Sequence, residues 1–358
     1  MKKISKKILG ILPIATLGTT IVSCSPKQQE NNNNNNGELK KEKAFNLINF
    51  IPDGDKKIEL LENLLKAKTV EEIKKIENIF LEKQTKKYVY DNNNDYYSRL
   101  DGKSGTALLD ELVKLQTSKL SGIKTYNDLK SFYDSSEAFK DRYFENDGSI
   151  LDIYSEDALT NDPYNYETYA NKASNPGKNE GEGMNREHVI PQSWFGKQEP
   201  TRSDAHFVWP TDIKVNAIRG NFPHGNVKKI KLLTKNNGKL GQDSGGIEVF
   251  EPIDVFKGDI ARAYFYFIVT HKQNLKFDNQ NVFKSVYPFI EKKFLDYYLS
   301  WNTIDPISKW DIKRNEEIYK YQNNRNPFTD YPNLIFKIIG ADNTPFINKG
   351  VLIDVKDN

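Results

Sequence analysis

This 358-residue chain is short of the groups that most often build disulfide or metal chemistry, with one cysteine, Cys24, four histidines and two methionines. A single thiol excludes a disulfide within the chain and leaves no cysteine set for a structural zinc. An excess of one charge is also missing: 52 basic residues face 49 acidic ones, for a formal net charge of +3. Long apolar runs are scarce. The one present extends from Ile8 to Val22 behind Lys2, Lys3, Lys6 and Lys7 and ends at Ser23-Cys24. Mean hydropathy is -0.71, and nothing downstream reads as a second membrane span.

The basic, apolar, Ser-Cys order predicts a lipoprotein signal peptide over residues 1–24, cleaved and lipidated at Cys24. Losing that segment removes four lysines and no acid, and +3 less four leaves −1. The mature chain is then not globally basic, so affinity for a polyanion has to come from a local basic surface and a bound cation. Residues 25–43 include six consecutive asparagines, Asn31 to Asn36, and predict a disordered tether. Residues 44–90 carry apolar positions at helical spacing, with Thr69 and Glu72 placed for a capping box, and predict a small helical module. Residues 91–340 form the main domain and 341–358 a C-terminal tail.

Three of the four histidines fall between 185 and 226, NREHVIPQSWFGKQEPTRSDAHFVWPTDIKVNAIRGNFPHGN. An imidazole with pKa near 6.5 can take a proton from water at neutral pH. A carboxylate and an amide offer hard oxygens to a divalent cation, and a guanidinium binds phosphate bidentately. His188 is accordingly the candidate base, Glu187 and Asn216 the candidate metal ligands, and Arg219 the candidate phosphate clamp. These are the parts of a phosphodiester-cleaving site. Arg202, Lys228, Lys229 and Arg325 are secondary candidates for substrate contact; Asp204, His206, Asp212 and Asn221 are candidates for support. The plainer alternatives are a solvated lysine loop, a surface role for His224, and an Arg219 that satisfies helix-terminal carbonyls.

Locally, residues 186–190 read as a strand stopped by Pro191 and 205–209 as a return strand stopped by Pro210. Thr211 then N-caps a helix through Arg219, closed by Gly220. On that helix Asp212, Asn216 and Arg219 share a face, leaving Ile213, Val215 and Ala217 for packing. Further helices are expected at 106–116, 126–133, 258–271, 281–301 and 312–321. The fold class is α+β, mostly helical, with a small β element holding the site.

This window, together with YYSRLDGKSGTALLDEL from Tyr96, Tyr154-Ser155, FEPIDVFKGDIARAYFYF from Phe250 and DPISKWDIKRNEEIYKYQNNRNPF from Asp305, resembles the bacterial endonuclease I family. Those are secreted non-specific nucleases of the His-Me finger (ββα-metal) type. The resemblance covers roughly residues 95–335. It implies His188 as base, Glu187 and Asn216 on Mg²⁺ (or Ca²⁺ or Mn²⁺), DNA or RNA as substrate, and 5′-phosphate products. It departs at Asp204-Ala-His206-Phe207-Val208, where many relatives carry a second histidine and Phe207 can neither bind metal nor move protons. The expectation is a membrane-anchored, extracytoplasmic, metal-dependent endonuclease, and no protein partner is inferred. Its rivals are a surface lipoprotein that binds nucleic acid or host material without cutting it, and a zinc hydrolase using His188, His206 and His224.

Overall fold

The computed structural model describes residues 64–69, 72–73, 86–157, 161–170, 178–278 and 280–357. Cys24, the asparagine tether and most of the 44–90 module lie outside the described residues. Where that module is described, Glu72 N–H donates to Thr69 Oγ1 at 3.2 Å and Thr69 N–H to Glu72 Oε2 at 3.1 Å, the reciprocal capping box.

In chain order come β1 (Lys86–Asp91), α1 (Gly105–Thr117), α2 (Asp128–Ser135), β2 (Met184–His188), β3 (Val208–Asp212) and α3 (Ile213–Arg219). Then follow β4 (Lys229–Leu233), β5 (Lys239–Gln242), β6 (Glu248–Glu251), α4 (Lys257–Thr270), α5 (Lys292–Ile304), α6 (Lys309–Gln322), α7 (Pro327–Asp330), α8 (Leu334–Ile338) and β7 (Val351–Asp357). The strands form three small antiparallel sheets, β1–β7, β2–β3 and β4–β5–β6. The fold is α+β.

Helix α4 is the centre, because every one of its residues is buried. A helix that is apolar all round, here through Tyr-Phe-Tyr-Phe-Ile-Val, has no face to give to water. Its few charges are paired instead: Lys257 lies 2.6 Å from Glu251, Arg262 lies 3.0 Å from Asp311, and Asp259 meets Arg314. Helices α1 and α5 pack against it.

Three expectations shift. The helix expected from 281 begins only at Lys292, since Pro288 cannot sit in a helix interior and Phe283 bridges Ile290 in an extended turn. The return strand lies three residues later than expected, and Pro210 stays inside it opposite Arg186. A two-stranded ribbon has only edge strands, where the missing N–H is tolerated. The segment 341–358 is no free tail: β7 pairs with β1, Leu352 and Val355 pack with Ile307 and Ile312, and the pairing crosses the boundary drawn at residue 91.

Candidate active site

Strand β2 ends at His188, and this end decides the site. Consecutive residues inside a strand point to opposite faces. Where the strand stops, Glu187 and His188 instead line one polar cleft of about 290 Å³ together with Asn185, Arg186, Asn216 and Asn221. Asn216 arrives from α3. Strand β3 runs through Thr211, so Asp212 and not Thr211 is the N-cap, its Oδ1 accepting from Val215 N–H at 2.8 Å. Gly220, at φ +57, closes the helix in a conformation that favours glycine. On α3 the packing residue is Val215, while Ala217 is exposed and Asp212 is buried beneath the helix rather than sharing an open face with Asn216.

His188 is buried, and its Nε2 lies 3.0 Å from the carbonyl oxygen of Arg202. A carbonyl can only accept, so Nε2 carries the proton and Nδ1 keeps the lone pair. The ring stacks on Tyr126 at 5.6 Å between centroids. Burial depresses its pKa to about 3; the Arg202 carbonyl bond opposes this, and the charges of Arg202, Arg186 and Arg219 add to it.

Glu187 is 1% exposed. Its Oε1 accepts from Tyr154 OH at 3.0 Å and pairs with Arg219 at 2.9 Å, while no described residue donates to Oε2. Burial raises its carboxyl, and Arg219 and Tyr154 partly offset this. Asn216 spends its Nδ2 on Asn185 Oδ1 at 2.6 Å and the Arg186 carbonyl at 3.3 Å, and no described residue donates to its Oδ1.

Arg219 is not the open clamp expected. It is 1% exposed, its Nη1 bonds the His188 carbonyl at 2.9 Å as well as Glu187, and its Nη2 bonds the Val189 carbonyl at 2.7 Å. With those donors committed to strand-end carbonyls and a carboxylate, it braces the strand end. Arg325 is also elsewhere, buried against Asp330 at 2.7 Å and Glu316 at 2.7 Å, away from the residues that line the cleft. Lys228 and Lys229 are exposed at the β4 edge and do not line it either.

The supporting residues are further in. Asp204 accepts from Tyr266 OH at 2.7 Å and Gln322 Nε2 at 2.6 Å, and lies 2.7 Å from His271 Nε2. Burial opposes its ionisation, but His271, His206 and the bonds it accepts win, and its pKa falls to about 2. His206 sets its Nε2 3.1 Å from the Asn324 carbonyl, with its pKa pushed down to about 4 chiefly by burial. His224 is buried, not at the surface, between Tyr154 OH at 3.0 Å and Tyr264 OH at 3.3 Å. No trio containing these histidines is close enough to hold a metal among the described residues, which removes the zinc reading.

No role for Tyr126, Tyr154 or Arg186 follows from the sequence alone. The Arg186 guanidinium lies 3.5 Å from the Tyr126 ring centroid and that of Arg202 4.0 Å from it. Arg186 could have been found from its place beside Glu187; nothing local marks Tyr126, about sixty residues upstream in the chain.

An α+β body with an imidazole, a carboxylate, an amide and cationic groups around one polar cleft defines a hydrolase-type site. The family pattern described as Endonuclease I matches residues 104–333, and the chain belongs to the endonuclease I family, a family of phosphodiester-cleaving nucleases. It is similar to the extracellular ribonuclease of Bacillus amyloliquefaciens, at 31% identity over 246 residues, 66% of this chain and 75% of that one. The extracellular ribonuclease of Bacillus subtilis (strain 168) is 31% identical over 254 residues, 68% and 77% of the two chains. The extracellular deoxyribonuclease of Aeromonas hydrophila is 26% identical over 170 residues, 40% and 64% of the two.

Proposed function

We propose that the cleft is a ββα-metal (His-Me finger) centre made by β2, β3 and α3, and that the protein is a Mg²⁺-dependent endonuclease with little sequence preference. The observation that carries this is the shared cleft of His188 Nδ1, Glu187 Oε2 and Asn216 Oδ1, three acceptor atoms that no described residue satisfies. Two hard oxygens fit Mg²⁺, which keeps several waters and completes its octahedron with phosphate oxygens. A divalent cation bound there would stabilise charge on the scissile phosphate and the leaving 3′ oxygen.

His188 takes a proton from water through Nδ1, held in that tautomer by the Arg202 carbonyl. Burial keeps it neutral, and an entering phosphate would raise its basicity, because a nearby negative charge favours imidazolium. Arg186, which lines the cleft, contacts the substrate backbone; Arg219 also lines it but has its donors committed, and Arg202 lies on the Tyr126 ring outside the lining. Contacts to phosphate carry no base information, which accounts for weak sequence preference and leaves both DNA and RNA as substrates. The relatives' names include both a ribonuclease and a deoxyribonuclease. The Ser23-Cys24 site and the asparagine-rich spacer support a lipid anchor at Cys24 on the extracytoplasmic membrane face.

Plasmid nicking in Mg²⁺ against EDTA tests the reading. His188→Ala should lower cleavage by about 10²- to 10⁴-fold at unchanged Mg²⁺ half-saturation. Glu187→Gln and Asn216→Ala should raise the Mg²⁺ requirement. Nicking that persists in EDTA would overturn metal dependence, and DNA binding without nicking would favour the non-catalytic lipoprotein.

A further inference from the structure

Away from the cleft, Glu145, Glu156 and Asp162 each place a carboxylate oxygen within 4.8 Å of the others. Acidic clusters alone are ordinary surface chemistry. Glu156 makes this one different: its side chain is 1% exposed and its Oε1 accepts no hydrogen bond. A buried carboxylate oxygen without a donor is costly unless something else satisfies it. The charges that act on Glu156 come from Asp162, Glu145 and Asp141, all of its own sign. Asp141 is already satisfied by the N–H groups of Tyr143, Phe144 and Asn146.

The backbone holds Glu156 in place. Its N–H donates to the Asp152 carbonyl at 3.0 Å and its own carbonyl accepts from Asn236 Nδ2 at 3.2 Å. Asp162 is held through Oδ1 by the Asp157 N–H at 2.7 Å. Glu145 is exposed and Asp162 half-buried, so the cluster opens to solvent on their side.

We propose that Glu145, Glu156 and Asp162 bind a hard divalent cation, best matched by Ca²⁺, at a structural site separate from the Glu187–Asn216 cleft. Ligand oxygens ~2.4 Å from one Ca²⁺ stand at most about 4.8 Å apart, and Ca²⁺ accepts irregular carboxylate cages where Mg²⁺ rarely does. Burial and the like charges of Asp162 and Glu145 push the Glu156 carboxyl up, and a bound cation would offset both. The site fixes the turn whose other members serve the cleft, since Tyr154 OH donates to Glu187 and Asp152 accepts from the Asp212 N–H at 2.8 Å.

The test is thermal unfolding of the full chain, stripped with EDTA and kept free of Mg²⁺, titrated with CaCl₂, with Tb³⁺ luminescence as a direct probe of binding. A saturable rise in Tm is expected that persists in Glu187→Gln and Asn216→Ala. In Glu156→Gln and Asp162→Asn the apparent Kd should weaken more than tenfold. If Glu156→Gln does not fold, Asp162→Asn and Glu145→Gln carry the test. No Ca²⁺ effect up to ~10 mM, above the weakest ordinary sites, would overturn the proposal. So would an effect untouched by the cluster variants, or one abolished by Glu187→Gln.

Discussion

Arg219 and Arg186 carry the same charge in the same window and are used in opposite ways. Arg219 is buried on Glu187 and two strand-end carbonyls; Arg186 is half-buried in the cleft wall beside the Tyr126 ring. Removing one member of a buried ion pair strands the other, so Arg219→Ala should cost about 3–5 kcal/mol of stability. Chemical denaturation checks this. Arg186→Ala, which loses a 2.6 Å bond to the Tyr126 carbonyl and the contact with its ring but leaves no buried charge unpaired, should cost less stability than Arg219→Ala and make the salt dependence of DNA binding shallower by roughly one unit in log K against log salt. That is measured with uncleavable DNA, or with Ca²⁺ in place of Mg²⁺. The residue types needed for the chemistry were legible in one stretch of sequence. Which arginine is taken up by the strand-end carbonyls was not, because that depends on how the strand end is buried.

At the scale of elements, the β2–β3–α3 unit is pinned from below. Asp152 accepts from the Thr211 hydroxyl and the Asp212 N–H, and Asp212 caps the helix that carries Asn216. Asp212→Ala should therefore lower stability by more than the roughly 0.5–2 kcal/mol of a lost N-cap, because Tyr166 OH and Gly181 N–H lose their acceptor as well. It should also raise the Mg²⁺ needed for half-maximal nicking, since Asn216 sits one turn into that helix. An unchanged metal titration would show that the cap does not position Asn216. Capping chemistry and helical spacing were readable here: α1, α4 and α6 lie within one to three residues of expectation. The three-residue offset of β3 was not readable, because Pro210 stops a central strand but not an edge strand.

At the scale of the whole molecule, the first and last of the described strands meet. Strands β1 and β7 pair, and β7 covers Ile307 and Ile312. A chain ending at residue 350 should have a lower Tm and more rapid proteolysis than the full chain, although it keeps every cleft residue; equal stability would mean that the pairing contributes nothing. Acid sensitivity is also a property of the interior. Burial, with the Arg219 charge adding, holds His224 well below its usual pKa. In the unfolded chain His224 binds a proton near pH 6.5, while in the folded chain it stays neutral. Its contribution is thus present above pH 6.5 and lost as pH falls, by about 1.4 kcal/mol per unit. Asp152, raised by burial to about 7, acts with the opposite sign, its contribution lost as pH rises through 7. Comparison with a His224→Phe variant isolates the histidine: the Tm difference should move in favour of the variant as pH is lowered from 7 to 5. A constant difference would mean that His224 titrates alike in the folded and unfolded chains.

The sequence by itself determined the inventory and its local order: an imidazole beside a carboxylate, an amide on the helix that follows, and a largely apolar helix after residue 257. Those features depend on side-chain chemistry and on periodicities of two and 3.6 residues, which are local. Tertiary structure decided what each polar group has left to offer. His224 and Arg219 are buried, Arg325 pairs with Asp330, Tyr126 comes from far upstream to stack on His188, and the last strand returns to the first. Exposure, unpartnered lone pairs and contacts between distant segments arise only when the chain packs, and those properties separate a residue that reacts from one that supports.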